Sequence, residues 1–491
     1  MAAESLSDFS TARALIDALA NKRISAVELT ERSITRIEKL DTEVNAVVVR
    51  DFDRARRAAA EADRLLARGE RRPLLGVPIS VKESFDVAGL PTTWGIPGAR
   101  DLSINEDAVA VRRLKDAGAI VLGKTNVPTM LADWQSFNPV YGVTSNPWDL
   151  SRTPGGSSGG AAAALAAGFV SLELGSDMNN SLRCPAACCG VFAHKPTYGL
   201  VPMRGFAPPG VPQLSVPARI DLAVVGPMAR SASDLAVALE VIAGPDEPDA
   251  VAYRLALPAA RHTDLKNFRV MVLGSHPLVP TSGAVRSAID RMAANLARLG
   301  TRIGRASALL PDLSLVSQAN AQLLMSLVNA DLPDDSHKQM QAEAAALRSD
   351  DMSQWAVMLR AGVMRHADWI KLDRTRVAIA HQWREFFREW DVLLCPVMPT
   401  VALPHDHSNM DSRRIMIDGK EFPYVAQSMW ASVATLTGLP ATAMPIGQTD
   451  DGLPISVQIV GPYLEDRTTI GFAQLAEREF GGFIPPPAFV H

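Results

Sequence analysis

The hydrophobic and polar residues follow two periods along the chain, one typical of helices and one typical of strands. Leu15, Ile16 and Leu19 fall on one face of a helix, and similar spacing continues to about residue 40. Helical spacing and helix-stop residues predict further helices over residues 53–68, 106–118, 232–243 and 283–300. Alternating or short apolar runs predict strands over residues 77–81, 119–122, 268–273, 391–395 and 454–461. The Pro- and Gly-rich residues 199–217 predict a loop.

Strands and helices succeed one another through most of the chain, which favours an α/β fold with helices on both faces of a sheet. We predict an N-terminal helical segment over residues 1–24, one large domain over residues 25–475 and a tail over residues 476–491. Within the large domain, the pattern predicts a helical insertion over about residues 306–390. This insertion either covers one side of a site or is purely structural.

The composition argues against several classes of partner. The chain has 491 residues, of which 47% are hydrophobic, and a net charge of −4 with acidic and basic residues interspersed. It lacks the basic stripe typical of nucleic-acid-binding proteins, so no nucleic-acid partner is predicted. The N-terminal residues lack the features of a secretory signal, and the longest uncharged apolar run, residues 161–172, is too short to cross a bilayer. These features predict a cytoplasmic protein with no membrane partner.

The chain contains four cysteines, Cys184, Cys188, Cys189 and Cys395, too few for a disulfide framework at this length. The first three are close in sequence, but no His or Cys pair at the spacing of a zinc site accompanies them. We therefore expect small buried side chains at these positions, and we predict neither a metal nor a cofactor.

The stretch from Ser151 to Pro196 contains the local pattern around which the candidate chemistry is organised. A Gly/Ser loop, residues 154–160, precedes an almost all-alanine helix, residues 161–167, and a short apolar strand then leads to a second serine turn. One interpretation is a packing helix below a turn. The other is that the loop and the helix hold Ser157 against Ser181, an arrangement that needs a base from elsewhere in the chain.

Lys82 is the candidate base, because it follows directly on the alternating strand 77–81. A lysine accepts a proton only when it is neutral, and burial or nearby positive charge lowers its pKa toward that state. The other interpretation is a surface lysine at the end of a strand. A Ser-His-Asp triad is disfavoured, because His194 is the only histidine near the serine turns and no G-x-S-x-G motif is present. The glycine-rich loop also lacks the lysine of a P-loop.

Several separated motifs resemble those of the amidase signature family of serine hydrolases. The three main ones are G-V-P-I-S-V-K-E at residues 76–83, P-G-G-S-S-G-G at 154–160 and G-S-D-x-x-x-S-L-R-x-P at 175–185. Further agreement comes from G-K-T-N-V-P, K-P-T-Y-G, G-P-M-A-R, T-G-L-P-A and D-G-L-P-I-S-V-Q-I-V-G. The resemblance extends from about residue 25 to residue 475. It implies a single large domain with a mixed, twisted β-sheet covered by helices on both faces, and an amidase activity.

The resemblance also implies a role for each residue of the main motifs. Ser181 matches the nucleophile, Ser157 the bridging serine that follows a cis peptide bond, and Lys82 the catalytic lysine. Neutral Lys82 would accept a proton from Ser157, and Ser157 one from Ser181, so that Ser181 attacks the substrate carbonyl and forms an acyl-enzyme. Supporting roles through hydrogen bonds are predicted for Ser158, Asp177 and Arg183.

The turn before Ser181 matches the family's oxyanion hole but departs from its usual sequence. The family has Gly-Gly where this chain has Asn179-Asn180. The oxyanion donors, the N–H groups of Met178, Asn179 and Asn180, belong to the backbone and survive a change of side chain. Asn also tolerates left-handed conformations better than most non-glycine residues. The other interpretation of the Asn pair is a non-catalytic paralogue.

The substrate has no readable signature in the sequence. Substrate-binding roles are predicted for Met130, Gln135, Gly155 and Gly156; Trp134 and Phe206 are further candidates, and such aromatic and polar residues alternatively pack in the core or a lid. The resemblance allows small-molecule amides, anilides, esters or carbamates, with a monomer or a homodimer as the assembly. An alternative function is an amidotransferase subunit that releases ammonia from glutamine for a tRNA-dependent partner, because such subunits contain the same motifs.

Overall fold

A computed structural model of the chain describes residues 6–209, 219–351 and 354–490. Part of the predicted loop (residues 210–217) and the first five residues of the predicted N-terminal segment lie outside the described residues. The described α-helices are α1 (Ala12–Ala20), α2 (Ala26–Val44), α3 (Phe52–Ala67), α4 (Val109–Asp116), α5 (Gly159–Ala166), α6 (Arg183–Cys189), α7 (Ala232–Ile242), α8 (Glu247–Ala250), α9 (Gly283–Arg298), α10 (Leu313–Val328), α11 (Asp334–Ala346), α12 (Gln354–Gly362), α13 (His366–Glu389), α14 (Met429–Thr435) and α15 (Asp466–Phe480). The described strands are β1 (Val47–Arg50), β2 (Pro78–Lys82), β3 (Ile120–Thr125), β4 (Phe137–Asn138), β5 (Gly142–Val143), β6 (Leu172–Asp177), β7 (Phe192–Lys195), β8 (Val224–Ala229), β9 (Arg269–Val272), β10 (Arg302–Gly304), β11 (Val392–Pro396), β12 (Arg414–Ile417), β13 (Lys420–Pro423), β14 (Ala441–Gln448) and β15 (Pro454–Val460).

Eleven of these strands form one mixed sheet in the order β1-β3-β2-β6-β8-β7-β14-β15-β11-β9-β10. Strand β2 pairs in parallel with β3 on one side and with β6 on the other. The central run from β6 through β8, β7, β14 and β15 to β11 is antiparallel, and β11, β9 and β10 are again parallel. Every residue of β2 and β6 is buried. Successive side chains of a strand point to opposite faces, so both faces of the sheet are covered there, and the predicted α/β fold is confirmed.

The parallel strands β2, β3 and β6 bring the motifs at residues 76–83, 123–128 and 175–185 together at their carboxyl ends, on one side of the sheet. Because parallel strands end on the same side, Lys82 at the end of β2 lies beside the end of β6, which carries Ser176 and Asp177. The alanine-rich helix α5 packs on these three strands, and all of its residues are buried. Only small side chains fit here: a Cβ on Gly160 would lie 2.3 Å from the backbone nitrogen of Asn126.

The strand predicted over residues 119–122 continues beyond Leu122 in the structure, because β3 ends at Thr125. The edge strand β1 pairs antiparallel with this part of β3, with Arg50 opposite Gly123. A Cβ on Gly123 would lie 2.1 Å from the carbonyl oxygen of Val49. The glycine therefore allows a close approach of two strands and does not mark the end of one.

Helices α10 to α13 lie between β10 and β11 in the chain, and α10 and α13 contribute to a second hydrophobic core. Trp383, Phe386 and Phe387 of α13 pack there against one another, with ring centroids 5.1–5.9 Å apart. A separate hairpin of β12 and β13 follows β11 and packs by Ile415 and Ile417 in a small third core. Among the described helices, none combines the length and the apolar character that a membrane span requires.

Candidate active site

Lys82 is fully buried at the end of β2, and its ammonium group contacts two serine hydroxyls. Nζ lies 2.6 Å from Ser157 Oγ and 2.9 Å from Ser176 Oγ. Burial lowers the pKa of Lys82 to about 7, against the opposing attraction of Asp177. A large fraction of the side chain is therefore neutral at physiological pH and can accept a proton from the Ser157 hydroxyl.

Ser157 lies in the glycine-rich loop directly before α5, and the peptide bond between Gly156 and Ser157 is cis. Ser157 and Ser158 are both buried. The backbone N–H of Ser158 donates to the carbonyl of Ser181 at 3.2 Å, which joins this loop directly to the turn that carries Ser181. The Ser158 hydroxyl donates to the carbonyl of Ser176 at 3.3 Å. These bonds give Ser158 a bracing position next to Ser157.

Asp177 and Arg183 form a fully buried ion pair around the turn that carries Ser181. Arg183 donates to the carboxylate from Nε at 2.9 Å and from Nη2 at 3.0 Å. The backbone N–H groups of Asn180 and Leu182 donate to the same carboxylate at 2.9 and 3.1 Å. Burial opposes ionisation, but the charge and hydrogen bonds of Arg183 lower the pKa of Asp177 to about 2. Asp177 is therefore ionised and holds both ends of the turn, while Ser181 between them is partly exposed.

The two asparagines before Ser181 take different conformations. Asn180 has a φ of 82°, which glycine adopts most readily and asparagine better than most other residues. Its side-chain Nδ2 donates to the carbonyl of Val397 at 2.9 Å, and its buried Oδ1 has no hydrogen-bond partner in the part of the chain that the structure describes. Asn179 has no positive φ, and its backbone carbonyl accepts a hydrogen bond from Trp134 Nε1 at 2.8 Å. Asn180 thus replaces glycine where the backbone needs left-handed geometry.

The predicted oxyanion hole changes in one respect. The N–H of Asn180 already donates to Asp177 and is not free for a substrate oxygen. Among the described residues, the N–H groups of Met178, Asn179 and Ser181 take no acceptor. The N–H groups of Asn179 and Ser181, which flank Asn180, remain available for a developing negative charge.

The residues predicted to bind substrate have other contacts. Gln135 is buried, and its amide exchanges two hydrogen bonds with the backbone of Asp406, at 2.8 and 3.0 Å. Gly155 and Gly156 lie against protein backbone, where added Cβ atoms would come within 2.8 Å of Pro185 Cα and 2.5 Å of the Asp133 carbonyl oxygen. The side-chain amide of Gln135 is therefore engaged by the backbone of Asp406, and the two glycines are required for close packing.

Two further candidates, Met130 and Phe206, differ from each other in exposure. Met130 is 46% exposed and has a φ of 57°, so its side chain is accessible. Phe206 is buried, with its ring 5.1 Å from the rings of Phe85 and Trp94, and belongs to the core. Of these residues, only Met130 keeps an exposed side chain.

Two residues beside the site, Ser176 and Lys195, were not predicted from the sequence to lie there. Ser176, the second contact of Lys82, lies in the G-S-D motif, and only the parallel pairing of β2 and β6 places it there. Lys195 of β7 is a second fully buried lysine, and burial together with the charge of Arg183 lowers its pKa to about 7. Its ammonium donates to the carbonyls of Pro196 and Leu439 at 3.1 and 2.8 Å. The K-P-T-Y-G motif, which begins at Lys195, offered no sign of this burial.

Comparison with known proteins gives consistent matches along the chain. A family model described as Amidase matches residues 28–470. The A-type subunit of the glutamyl-tRNA(Gln) amidotransferase of Saccharolobus solfataricus is 31% identical over 482 residues, covering 94% of this chain and 95% of that protein. Fatty-acid amide hydrolase 2-A of Danio rerio is 30% identical, covering 95% of this chain and 87% of its own. The crystal structure of a bacterial aryl acylamidase, 25% identical, matches with a TM-score of 0.79 over 96% of each chain.

Proposed function

Because the chain belongs to the amidase signature family, we propose that it hydrolyses carboxylic amides through an acyl-enzyme on Ser181. The observation that supports this most strongly is the buried contact between Lys82 and Ser157, with Nζ and Oγ 2.6 Å apart. A lysine with a pKa of about 7 in that position is a base that works near neutral pH. Small linear amides, including anilides, are the proposed substrate class.

The proposed reaction begins with two proton transfers. Neutral Lys82 accepts the proton of Ser157, Ser157 accepts the proton of Ser181, and Ser181 Oγ attacks the substrate carbonyl. The N–H groups of Asn179 and Ser181 stabilise the resulting oxyanion. The relay then runs in reverse: the proton passes to the leaving nitrogen, the C–N bond breaks, and water hydrolyses the ester on Ser181 by the same base.

A fluorophosphonate probe tests the assignment of the nucleophile. We expect the probe to label the wild-type chain at Ser181, and the Ser181→Ala variant to take no label. Lys82→Ala should retain the fold and lose most of the labelling rate, because the serine relay then has no base. If the Ser181→Ala variant still takes the label, in the loop of Ser157 or in the turn of residue 181, this proposal is refuted.

A panel of substrates tests the reaction class. The purified chain is offered anilides, primary amides, esters and carbamates of varied acyl length, with Ser181→Ala as the blank. Release of amine from an amide, absent in the blank, supports the amidase. If the wild-type chain turns over none of these compounds and takes no probe, the Asn179-Asn180 turn belongs to a non-catalytic protein.

A second candidate function is supported by the relatives. The A-type subunit of the glutamyl-tRNA(Gln) amidotransferase of Anaeromyxobacter sp. is 34% identical over 96% of both chains. In this alternative the same serine and lysine residues release ammonia from glutamine for a partner protein. Glutamine-dependent ammonia release and co-purification of partner subunits would favour it. Turnover of simple amides by the isolated chain, without glutaminase activity, would favour the amidase.

A further inference from the structure

The peptide unit between Asn179 and Asn180 is held at both of its polar atoms. Its carbonyl oxygen accepts a hydrogen bond from Trp134 Nε1 at 2.8 Å. Its N–H donates to Asp177 Oδ1 at 2.9 Å. Because a peptide unit is planar, two bonds at opposite edges determine its orientation. That orientation in turn directs the flanking N–H groups of Asn179 and Ser181, the proposed oxyanion donors.

Trp134 is held in place by its two neighbours in the chain. The carboxylate of Asp133 accepts hydrogen bonds from Arg413 Nη1 at 2.6 Å and from the hydroxyl of Tyr424 at 2.7 Å. On the other side, Gln135 is bonded twice to the backbone of Asp406. The ring of Tyr424 also packs edge-on against the Trp134 ring, with centroids 5.6 Å apart. Residues 406–424, which include the β12–β13 hairpin, therefore fix the position of the indole.

The same three residues, 133–135, also contact the loop that carries Ser157. Gly156 lies so close to them that an added Cβ would come 2.5 Å from the Asp133 carbonyl oxygen and 2.7 Å from the Gln135 nitrogen. One short segment therefore touches the serine relay at Gly156 and the nucleophile turn at Asn179. A displacement of this segment would change the geometry of both.

We propose that Trp134 is a positioning residue for the oxyanion turn, and that Arg413 and Tyr424 act on catalysis through it by way of Asp133. This proposal rests on the proposed function, since it presupposes that Ser181 is the nucleophile. Trp134 acts on the transition state, where the oxyanion forms, and contributes little to ground-state binding of the reactant. Its removal should lower the rate of the chemical step and leave the binding step unchanged.

The test compares Trp134→Phe with a matched control, Trp148→Phe. Trp148 is also half-buried, and its Nε1 donates to the carbonyl of Cys189 at 2.9 Å, away from the nucleophile turn. Both substitutions keep an aromatic ring and remove one N–H···O=C bond. Each variant is treated with a fluorophosphonate probe over a range of concentrations. The maximal rate of labelling and the half-saturating concentration are measured separately, together with the midpoint of thermal unfolding.

We expect Trp134→Phe to lower the maximal labelling rate about 10- to 100-fold, less than the roughly 100- to 1000-fold loss that follows removal of an oxyanion donor itself, with little change in half-saturation. Trp148→Phe should retain the wild-type rate even where its unfolding midpoint falls by the same amount. Tyr424→Phe, which removes only the hydroxyl bond to Asp133, should give a smaller loss of the same kind. Equal labelling rates in Trp134→Phe and Trp148→Phe would overturn this inference alone. A wild-type chain that takes no probe at Ser181 overturns the proposed function and this inference together.

Discussion

Burial places two lysines of the site region, Lys82 and Lys195, at a pKa of about 7. Only Lys82 contacts a serine hydroxyl, and its neutral form, which can accept a proton, exists above the pKa. We expect the rate of fluorophosphonate labelling to rise with pH through about 7 and then to level off, falling about tenfold for each pH unit well below the pKa. Labelling rates measured from pH 5 to pH 9 check this profile.

Lys195→Met is the matched variant for the pH profile. Among the described residues, Lys195 donates to two backbone carbonyls and to no side chain, so its replacement should lower stability and leave the inflection of the profile in place. An inflection that disappears in Lys195→Met while the folded chain still labels would assign the titration to Lys195 and contradict the role of Lys82.

Asn180 tests whether the turn needs left-handed backbone or an amide side chain. Asn180 has a φ of 82°, a conformation that only glycine adopts without steric cost. We therefore expect Asn180→Ala to lower the free energy of unfolding by about 1–2 kcal/mol more than Asn180→Gly does. Urea denaturation of both variants measures the difference. Equal stabilities of the two would contradict the strain argument. We also expect Asn180→Gly to keep the labelling rate, because the N–H bond to Asp177 does not depend on the side chain.

For individual residues, the motifs were sufficient to predict that Lys82 and Ser157 lie close together, and the structure contains this contact. The bracing predicted for Asp177 and Arg183 is also present as a buried ion pair. The contact of Gln135 with Asp406 could not be predicted, because the two residues are 271 positions apart in the chain and no local pattern indicates it. A side chain that hydrogen-bonds to backbone far away in the sequence produces no periodic pattern of hydrophobic and polar residues.

Helix α5 shows how tightly an element can be packed. Alanine normally stabilises a helix relative to glycine, but a Cβ on Gly160 would meet the backbone nitrogen and oxygen of Asn126 at 2.3 and 2.7 Å. We expect Gly160→Ala to destabilise the protein by about 1–3 kcal/mol through overpacking. Gly98→Ala is the control, because no atom lies within 4 Å of the added methyl and its φ is not left-handed. Chemical denaturation compares the two, and equal stability would contradict the close packing of α5.

Some strands could be predicted from the sequence and others could not. Strand β2 is a short apolar alternation, and β15 is another, so both stood out. Strand β7, with the sequence Phe-Ala-His-Lys, is buried on both faces and contains two polar residues, so it has neither alternation nor an apolar run. Its polar groups are satisfied by distant residues: His194 by Thr442 and Asp466, and Lys195 by the Leu439 carbonyl. Contacts with residues distant in the sequence therefore determine that this segment forms a buried strand.

Arg230 joins three regions of the molecule. Its buried guanidinium donates to the carbonyls of Ser10 at 2.8 Å, Leu165 at 3.0 Å and Phe9 at 3.2 Å. We expect Arg230→Met to lower the free energy of unfolding by about 3 kcal/mol, because the buried carbonyl of Leu165 and the partly buried carbonyls of Phe9 and Ser10 lose their donor. Arg467, 44% exposed and bonded to the Leu257 carbonyl at 3.0 Å, is the control, and Arg467→Met should change stability by less than about 0.5 kcal/mol. Equal losses in urea denaturation would contradict this long-range role.

The order of the sheet and the contacts across it lie beyond what the sequence could predict. Alternation of helices and strands indicated a sheet covered on both faces, and motif resemblance indicated its family. The position of Trp134 depends on Arg413, which is 280 residues from its partner Asp133. Contacts of that range are set by the whole fold, and single-sequence periodicity carries no information about them.

The most direct test of Ser181 as the nucleophile is to locate, by mass spectrometry, the acyl group that the chain carries during turnover. The wild-type protein is mixed with an amide or anilide that it hydrolyses, quenched in acid, digested and analysed by mass spectrometry. We predict an acyl adduct on Ser181 that is absent from Ser181→Ala and still formed in Ser158→Ala. An adduct on Ser157 or Ser158, or amide turnover that persists in Ser181→Ala, would contradict the central claim that Ser181 is the nucleophile.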